Sequence, residues 1–497
     1  MDRLTLLLVV LVLGALYAYL TRNHKYWASR GIPGPRPLPF FGTYLQQFFV
    51  PMQELEEQRY AKHGKIYGIY DGTQPGLVVG DPKLLEEMML GTTAQTVFPD
   101  RRAVKTTHDI MANFLSSLEG SEWKRVRALI APTFADVKLR SLLPIMHDCA
   151  GRVLKRLSAA AATPDASVDL KEVFGHYTMD VIARTAFGAA PDKYFVKQAS
   201  ALFTFPFWRK FLDYVMPMWA LDWAGHTVLP KEAMEFFRRV AMDQIRKRQA
   251  SGKRRPDFLQ LLLDAHSTEE LPQRRSLSET EILAQVVLFY SVGYETASQL
   301  LMYCIYCLAL NETHQDFVVE ELRQVLADAG IDADADTVEI DDKLVKKMTY
   351  LNAVIDETLR LYNPVLRMER RASRDFCLGD VKIAKGMLVG VPVWAMHHSE
   401  EYFPDPYEFQ PTRFLPENKP QVTKMSYLPF GAGPRDCIGK RFSLLETRLA
   451  LVEVLLKYRF FPTAKTQQPL RFVTNGRPLL GPTQVVVGVE PRQHAAA

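Results

Sequence analysis

The chain has 497 residues, of which 47% are apolar and 24% charged, and its formal net charge is +5. A chain of this length and composition can bury a core large enough to enclose a cofactor. The small net charge argues against a nucleic-acid-binding protein, because that class usually concentrates a much stronger basic surface. Five cysteines, an odd and sparse number, argue against a secreted disulfide framework and favour a reducing compartment.

The first predicted element is a transmembrane helix over residues 1–21. No charge interrupts the run from Leu4 to Thr21, and a helix of that length spans roughly 27 Å, close to the hydrocarbon thickness of a bilayer. A cleaved signal peptide is the alternative, but the run is long for one and no small-residue cleavage site follows it. By the positive-inside rule, the basic residues after the run place the rest of the chain in the cytoplasm. These residues are Arg22, Lys25, Arg30 and Arg36.

A basic and proline-rich hinge is predicted over residues 22–39, ahead of one large body over residues 40–497. The prolines between Gly31 and Pro39 cannot continue a helix and favour stiff, extended backbone. A plain spacer is one interpretation of this segment. We expect in addition that it holds the body at a set tilt to the membrane.

The body is predicted to be mainly α, with small β-sheets at one side. Helical periodicity dominates it, as in Lys231–Gln249 and Phe442–Lys457. Three short hairpins are also predicted. They pair Ile66–Tyr70 with Leu77–Val79 around Asp71-Gly72, Val381–Ile383 with Met387–Val389, and Leu470–Val473 with Gln484–Val489.

An aromatic stretch, Leu202–Trp223, allows two interpretations. Its prolines break any continuous helix, and its phenylalanines and tryptophans alternate with basic residues in a way that suits a bilayer interface. A packed pair of helices explains the same pattern equally well. Both interpretations stay open.

One unusually long helix is predicted to begin after Ser278 and to end near Leu310. Ser278 and Glu281 have the spacing of a capping box, and the apolar pattern continues from there. A second transmembrane span is the competing interpretation. Glu295 near the middle would cost about 2.5–3.5 kcal/mol in a membrane, so a buried central helix is favoured.

The most specific motif is the ten-residue segment from Phe430 to Gly439, which contains Cys437. A thiolate that approaches a flat metal macrocycle needs glycines that let the backbone come near, at Gly431, Gly433 and Gly439. A helix beginning near Ile438 would direct its partial positive charge at the sulfur. Phe430 can cover the thiolate, and Arg435 can pair with a carboxylate of the macrocycle.

This segment matches the haem-binding signature F-x-x-G-x-R-x-C-x-G, and the chain therefore resembles the cytochrome P-450 family. The likeness extends over nearly the whole chain and is strongest to the microsomal drug-oxidising and thromboxane-synthase-like branch. The segments that carry this second likeness are Glu122–Arg127, Asp257–Leu261 and Gly293–Thr296. The resemblance implies the cytochrome P-450 fold, a helical bundle around haem b that is ligated by Cys437.

Three charged residues resemble the family's structural network. Glu357 and Arg360 form its E-x-x-R motif on one helix face, and Arg413 matches the third member. The resemblance implies a buried network beneath the haem without a catalytic role. Thr412 departs from the acidic residue that is common there.

Further residues resemble the family's contacts to the haem propionates. Trp123 and Arg127 lie four residues apart on one helix, and Arg370 follows in a separate segment. Arg101 is a further candidate, although the neighbouring Arg102 could take its part. An amphipathic helix with an aromatic core residue is the alternative explanation for Trp123 and Arg127.

The long helix carries the residues that the resemblance assigns to oxygen chemistry. Gly293 costs about 1 kcal/mol in a helix interior, so it marks close packing or a distortion. Glu295 and Thr296 resemble an acid–alcohol pair that relays protons to dioxygen from a widened helix turn. A threonine hydroxyl that bonds back to the carbonyl four residues earlier is the plain alternative.

The same helix departs from related enzymes at two positions, Val292 and Ala297, where alanine and threonine are common. Val292 lies one turn before Thr296, so it should narrow the space above the iron and affect regioselectivity. By resemblance, four more residues would line the substrate pocket. They are Leu288, Ser291, Val365 and Met368.

The predicted function is that of a monooxygenase anchored by a single pass in the endoplasmic reticulum membrane, acting on a lipophilic xenobiotic, steroid or fatty acid. Its co-substrate would be O2, and its electrons would come from NADPH through a separate NADPH–cytochrome P-450 reductase, with cytochrome b5 as a further candidate partner. A redox-neutral peroxide isomerase and a non-enzymatic haem-binding protein are the alternatives. The sequence does not name the substrate.

Overall fold

The computed structural model describes residues 3–103, 106, 108–186, 188, 191–202, 212, 216, 218–223, 230–252, 254–255, 257–266, 276–335, 338, 340–474 and 479–492. Helices dominate this part of the chain. They are α1 (Arg3–Thr21), α2 (Met52–His63), α3 (Pro82–Met89), α4 (Gly91–Thr96), α5 (Asp109–Ala112), α6 (Gly120–Ile130), α7 (Asp136–Arg140), α8 (Leu143–Ala161), α9 (Leu170–Ala186), α10 (Lys193–Ala201), α11 (Met218–Trp223), α12 (Lys231–Ser251), α13 (Phe258–His266), α14 (Glu279–Leu310), α15 (Glu312–Asp328), α16 (Asp342–Lys347), α17 (Thr349–Leu361), α18 (Val393–His397) and α19 (Lys440–Lys457). Short 3-10 turns lie at Ala28–Arg30, Leu45–Phe48, Ala131–Phe134, Pro411–Phe414 and Lys419–Gln421.

The strands form three small sheets. The strands are β1 (Ile66–Asp71), β2 (Gln74–Val79), β3 (Ser167–Asp169), β4 (Met368–Arg371), β5 (Phe376–Leu378), β6 (Val381–Ile383), β7 (Leu388–Val391), β8 (Tyr458–Phe461) and β9 (Val486–Pro491). The largest sheet has the order β1-β2-β7-β4, and the others are β3-β9-β8 and β5-β6. Only β2 and β7 pair in parallel among the described strands. The mainly α architecture with small sheets is thus confirmed.

Two of the three predicted hairpins are wrong. The hairpin of β1 and β2 is present, but Val381–Ile383 pairs with β5 through a tight turn at Gly379, where φ is +54°. β7 is buried along most of its length and instead lies between β2 and β4. Near the C-terminus the described residues show one bridge, between Phe472 and Pro482, because β9 takes β3 and β8 as partners.

The long central helix is confirmed as α14. Its capping box is complete: the Ser278 amide donates to Glu281 Oε2 at 2.8 Å, and the Glu281 amide donates to Ser278 Oγ at 3.2 Å. The helix packs against α9, α17 and α19, which places it at the centre of the main core. Gly293 allows close approach to α9, since a Cβ there would lie 3.0 Å from Ile182 Cδ1.

The N-terminal helix α1 is the one described helix that is long and apolar enough to cross a membrane, and none of its residues is buried. The hinge after it docks on β1. Trp27 is buried over Gly68 and its Nε1 donates to the Ile69 carbonyl at 3.2 Å. The Gly68 amide also donates to the Pro33 carbonyl at 2.8 Å, so residues 22–39 do not form a free spacer.

The two interpretations of Leu202–Trp223 fall mostly outside the described residues. Within that stretch the structure describes residues 202, 212, 216 and 218–223. Leu221 of α11 is buried and Trp223 is 89% exposed, so this short helix has both a packed and an open side.

Candidate haem site

A cavity of about 700 Å³ lies between α14 and the loop of residues 428–439, which we call the Cys437 loop. A cavity of this size, walled mostly by apolar side chains with a few polar groups, is typical of a ligand or cofactor site. Its wall includes Arg101, Trp123, Arg127, Leu288, Val292, Gly293, Thr296, Ala297, Val365, Met368, Arg370, Phe430, Arg435, Cys437 and Gly439. Most of the predicted site residues are therefore brought together.

The Cys437 loop is held by backbone hydrogen bonds and by two glycines with positive φ. The Cys437 amide donates to the Phe430 carbonyl at 2.9 Å, and φ is +74° at Gly431 and +72° at Gly433. A Cβ at Gly433 would lie 1.8 Å from the Met89 carbonyl oxygen. That glycine is therefore required by packing against α3, which differs from the predicted approach to a macrocycle.

Gly439 fits the predicted role better. It lies on the cavity wall, and a Cβ there would have no atom within 4 Å, so this stretch of backbone faces open space. The following helix α19 begins at Lys440, slightly later than the predicted start near Ile438.

The thiol of Cys437 is under opposing electrostatic influences. Burial raises its pKa, while the Gly439 backbone amide and the charges of Arg101 and Arg127 lower it, and Asp436 raises it further. The net pKa is above the ordinary value, so the thiol by itself would hold its proton at neutral pH. A metal cation at the sulfur reverses that balance, because a coordinated thiol is deprotonated outright.

Two guanidinium groups on the cavity wall lack an acidic partner among the described residues. Burial, with repulsion from Arg101 and Arg435, lowers the pKa of Arg370 to about 9. Arg370 donates only to the neighbouring Glu369 carbonyl, at 3.0 Å, and Arg101 donates to the Arg435 carbonyl at 2.8 Å. Arg370 is buried and Arg101 is exposed; because a buried cation without a counter-ion is costly, Arg370 above all fits a ligand with carboxylate groups, and Arg101 could reach the same ligand.

The other two arginines that were predicted to contact the propionates are already paired within the chain. Arg435 donates to Asp100 Oδ1 at 2.8 Å, and its guanidinium carbon lies 3.8 Å from the ring centroid of Trp123. Arg127 donates to Asp436 Oδ1 at 2.7 Å. Both still line the cavity, but neither is free in the way that the sequence predicted, because two acidic residues that it did not single out neutralise them.

One face of α14 forms the roof of the cavity. Leu288, Val292 and Thr296 are spaced four residues apart and share this face, and the Val292 side chain is 48% exposed. Thr296 Oγ1 donates to the Val292 carbonyl at 2.9 Å, which is the plain alternative that the sequence left open. The helix is α-helical throughout, without the widened turn that the resemblance implied.

Two predicted residues on this helix lie off the cavity wall. Ser291 and Glu295 each precede a wall residue by one position, which rotates them by about 100° away from that face. Ser291 Oγ donates to the Leu288 carbonyl at 2.9 Å, and Glu295 Oε1 accepts from Gln299 Nε2 at 3.0 Å. Ser291 therefore lies off the cavity wall in this structure, and the acid and alcohol of the predicted relay do not meet there.

The charged network lies outside the cavity wall. Arg360 forms two hydrogen bonds to Glu357, at 2.7 and 2.8 Å, and both side chains are fully buried. Arg413 Nε lies 3.6 Å from Glu357 Oε1, which also accepts from the Gln410 amide at 3.0 Å. These contacts tie α17 to residues 397–413.

Sequence reasoning missed Glu446 on α19. Its carboxyl group lines the cavity and is buried, Oε1 has no hydrogen-bond partner among the described residues, and burial raises its pKa well above the ordinary value. A glutamate six residues into α19, beside the buried Leu445 and Leu449, is the signal that could have identified it.

Comparison with known proteins agrees with this geometry. The family model described as "Cytochrome P450" matches residues 32–487. Cytochrome P450 3A41 of Mus musculus is 35% identical to this chain over 99% of the chain and 97% of its own length. Cytochrome P450 3A29 of Sus scrofa is 35% identical, and cytochrome P450 3A1 of Rattus norvegicus is 36% identical, each over at least 97% of both chains.

Proposed function

This chain belongs to the cytochrome P450 family and is a cytochrome P450 monooxygenase, and we propose that Cys437 is the side chain that ligates its haem b. The observation that carries this proposal is the position of the sulfur. Of the five cysteines, all of which the structure describes, only Cys437 lines the cavity. It also lies beside backbone that faces open space at Gly439.

The residues around Cys437 fit a haem. Arg101 and Arg370, which lack acidic partners among the described residues, would hold its propionate groups, with Trp123 beside them. Arg127 and Arg435 would add positive charge while they remain paired with Asp436 and Asp100. Haem bound there supplies the chemistry that activates O2 and inserts one oxygen atom into the substrate.

The side chains on the cavity wall would shape the space for the substrate and would supply a proton donor. Leu288, Val292, Val365 and Met368 would bind a lipophilic substrate such as a xenobiotic, steroid or fatty acid, and would exclude water. Thr296 holds a proton at Oγ1 on the same wall, where it is donated to the Val292 carbonyl, and we assign this hydroxyl a role in relaying protons into the cavity. Glu295 would join this relay only after its carboxylate leaves Gln299.

The electron source we propose is NADPH, through a separate NADPH–cytochrome P450 reductase, with cytochrome b5 as a second partner. Lys440 and Arg441 are exposed directly after the Cys437 loop; Lys440 lies over the Phe430 ring, while Arg441 pairs with Asp136, so Lys440 gives this end of the loop an exposed basic surface. Such a surface suits an acidic redox partner. The apolar helix α1 supports a single-pass anchor in the endoplasmic reticulum membrane with the body in the cytoplasm.

The proposed ligand is tested by the spectrum of the reduced, carbon-monoxide-bound protein. We expect the red-shifted band of thiolate ligation in the unmodified protein and in Cys377→Ser, whose cysteine is exposed and remote from the cavity wall. We expect the band to be absent in Cys437→Ser. A thiolate band that persists in Cys437→Ser would overturn the assignment.

The proposed reaction is tested with purified reductase. Consumption of NADPH and O2 should be stimulated by a lipophilic substrate, and one oxygen atom from labelled O2 should appear in the product. Turnover of a fatty-acid endoperoxide without NADPH or reductase would instead show a redox-neutral isomerase. A normal reductase that drives no NADPH consumption with any lipophilic substrate would indicate a non-enzymatic haem protein.

A further inference from the structure

His397 is a fully buried histidine at the last residue of α18, between the charged network and the Cys437 loop. The established family assignment gives it no role, and the sequence pattern does not single it out. Its backbone and its ring are bound by different parts of the molecule. These two contacts make it a link between the network and the loop.

The backbone of His397 is held by the network. Arg360 Nη1 donates to the His397 carbonyl at 2.8 Å and to the Pro406 carbonyl at 2.7 Å. Arg360 is in turn fixed by its two hydrogen bonds to Glu357. A buried guanidinium that satisfies several carbonyls holds those segments rigidly, because moving any of them leaves a buried polar group without a partner.

The ring of His397 is bound to the Cys437 loop. The Leu428 amide donates to His397 Nε2 at 3.0 Å. From Leu428 the loop is connected by its own hydrogen bonds: the Gly431 amide donates to the Leu428 carbonyl at 3.1 Å, and the Cys437 amide donates to the Phe430 carbonyl at 2.9 Å. The start of the loop is thus fixed by the imidazole, and its end carries the cysteine.

The imidazole is in the form that this contact needs. Burial lowers the pKa of His397 well below its ordinary value, and the charges of His398 and Arg360 lower it further. Nε2 therefore keeps a lone pair for the Leu428 amide. The ring packs beside Tyr427, with ring centroids 5.3 Å apart, which leaves it little freedom to turn.

We propose that His397 is a positioning residue that transmits the rigidity of the Glu357–Arg360 pair to the Cys437 loop and so sets the position of the cysteine sulfur. The inference rests on the proposed ligation of haem by Cys437. The loop has further attachments: Arg435 pairs with Asp100, Arg127 pairs with Asp436, and Tyr427 Oη, directly before the loop, donates to the Asp356 carbonyl at 2.8 Å. Loss of the imidazole should therefore loosen the loop and leave the fold intact.

The test compares His397→Leu with His398→Leu in the full-length, haem-loaded protein. His398 is a matched control, because it is adjacent in sequence and also buried. Its ring stacks on that of Trp394, with ring centroids 4.2 Å apart. Among the described residues it makes no hydrogen bond to the Cys437 loop. His397→Gln offers an amide oxygen to the Leu428 amide, and His397→Asn is too short to reach it.

Three quantities are measured at equal haem content: the half-life of the thiolate band in the carbon-monoxide complex, the midpoint potential of the iron, and hydrogen exchange in the peptide that contains Leu428. We expect His397→Leu and His397→Asn to shorten the half-life on the order of tenfold relative to His398→Leu, to shift the potential and to speed exchange. His397→Gln should recover most of each change.

Equal half-lives, potentials and exchange rates in His397→Leu and His398→Leu would overturn the inference. So would failure of His397→Gln to differ from His397→Asn, a comparison that remains available if His397→Leu does not fold. A missing thiolate band in the unmodified protein would refute haem ligation by Cys437 instead. Because that result concerns the unmodified protein alone, the two failures are distinguishable.

Discussion

Among single residues, Arg370 has the surroundings that most favour an anionic ligand. It is buried, its neighbours Arg101 and Arg435 repel it, and none of the described acidic residues pairs with it. Its sequence neighbour Arg371, by contrast, is partly exposed and pairs with Glu119. The two adjacent arginines on β4 therefore have different surroundings, because alternate strand residues face opposite sides.

Arg370→Met should stabilise the haem-free protein and weaken the hold of the loaded protein on haem. Burial lowers the pKa of Arg370 to about 9, so below pH 9 its charge destabilises the haem-free fold to the full extent. This destabilisation decreases as the pH rises from 9 towards the ordinary pKa of arginine. In the haem-free state, the melting temperature of Arg370→Met should therefore exceed that of the unmodified protein at neutral pH, and the difference should be smaller above pH 9.

In the loaded protein, transfer of haem to apomyoglobin should be roughly tenfold faster for Arg370→Met, because a charge-assisted hydrogen bond is lost. Arg371→Met is the control, since it removes an exposed pair away from the cavity wall. Equal transfer rates in the two variants would contradict the proposed role of Arg370.

The sequence predicted that Cys437 lies together with most of the other candidate site residues, because the motif places Phe430, Arg435, Cys437 and Gly439 within one short segment. It did not predict that Arg435 pairs with Asp100 or Arg127 with Asp436. The residues of these pairs lie 335 and 309 positions apart in the chain, so no local pattern indicates them. The role of Gly433 could not be predicted for the same reason: a side chain there is excluded by the Met89 carbonyl of α3, which is distant in sequence.

At the scale of elements, one face of α14 lines the cavity and the rest of the helix packs in the core. The four-residue spacing of Leu288, Val292 and Thr296 defines the roof, and this face could be predicted from helix geometry. Ser291 and Glu295 belong to another face, which the resemblance alone did not reveal. Strand pairing was harder to predict: β6 pairs with its nearest neighbour, and β7 joins a distant strand.

Val292→Ala should widen the cavity above the proposed iron position and change the ratio of products from one substrate. The Val292 side chain is on the wall and largely exposed to the cavity, so removing its methyl groups enlarges the space with little loss of packing. Product ratios by mass spectrometry and spectral binding of a bulky ligand measure the effect. Ser291→Ala, one residue earlier and off the wall, should change neither; unchanged products in Val292→Ala would refute the steric role.

At the scale of the whole molecule, the N-terminal segment is joined to the body by more than a linker. Trp27 fills the space left by the missing side chain of Gly68, and residues 33–34 lie against the same strand. The apolar helix α1 is therefore followed directly by a docked segment. This packing supports the expectation that residues 22–39 set the tilt of the body.

Trp27→Ala should release the hinge from β1. Truncating a buried tryptophan costs about 3–5 kcal/mol, so the free energy of unfolding should fall by that order and protease cleavage within residues 22–39 should become faster. Tyr26→Ala is the control, because Tyr26 is only half-buried. Equal cleavage rates in the two variants would show that the hinge is not held by Trp27.

The parallel pairing of β2 with β7 has a consequence for synthesis on the ribosome. Leu77 pairs with Val389, so about 300 residues must be made between the two strands. At 5–20 residues per second, the β1–β2 hairpin waits about 15–60 s before its sheet can be completed. During translation the edge of β2 that pairs with β7 thus leaves its backbone N–H and C=O groups unpaired for most of the time that the chain takes to emerge, and slower elongation would lengthen the period in which this edge can pair with another chain.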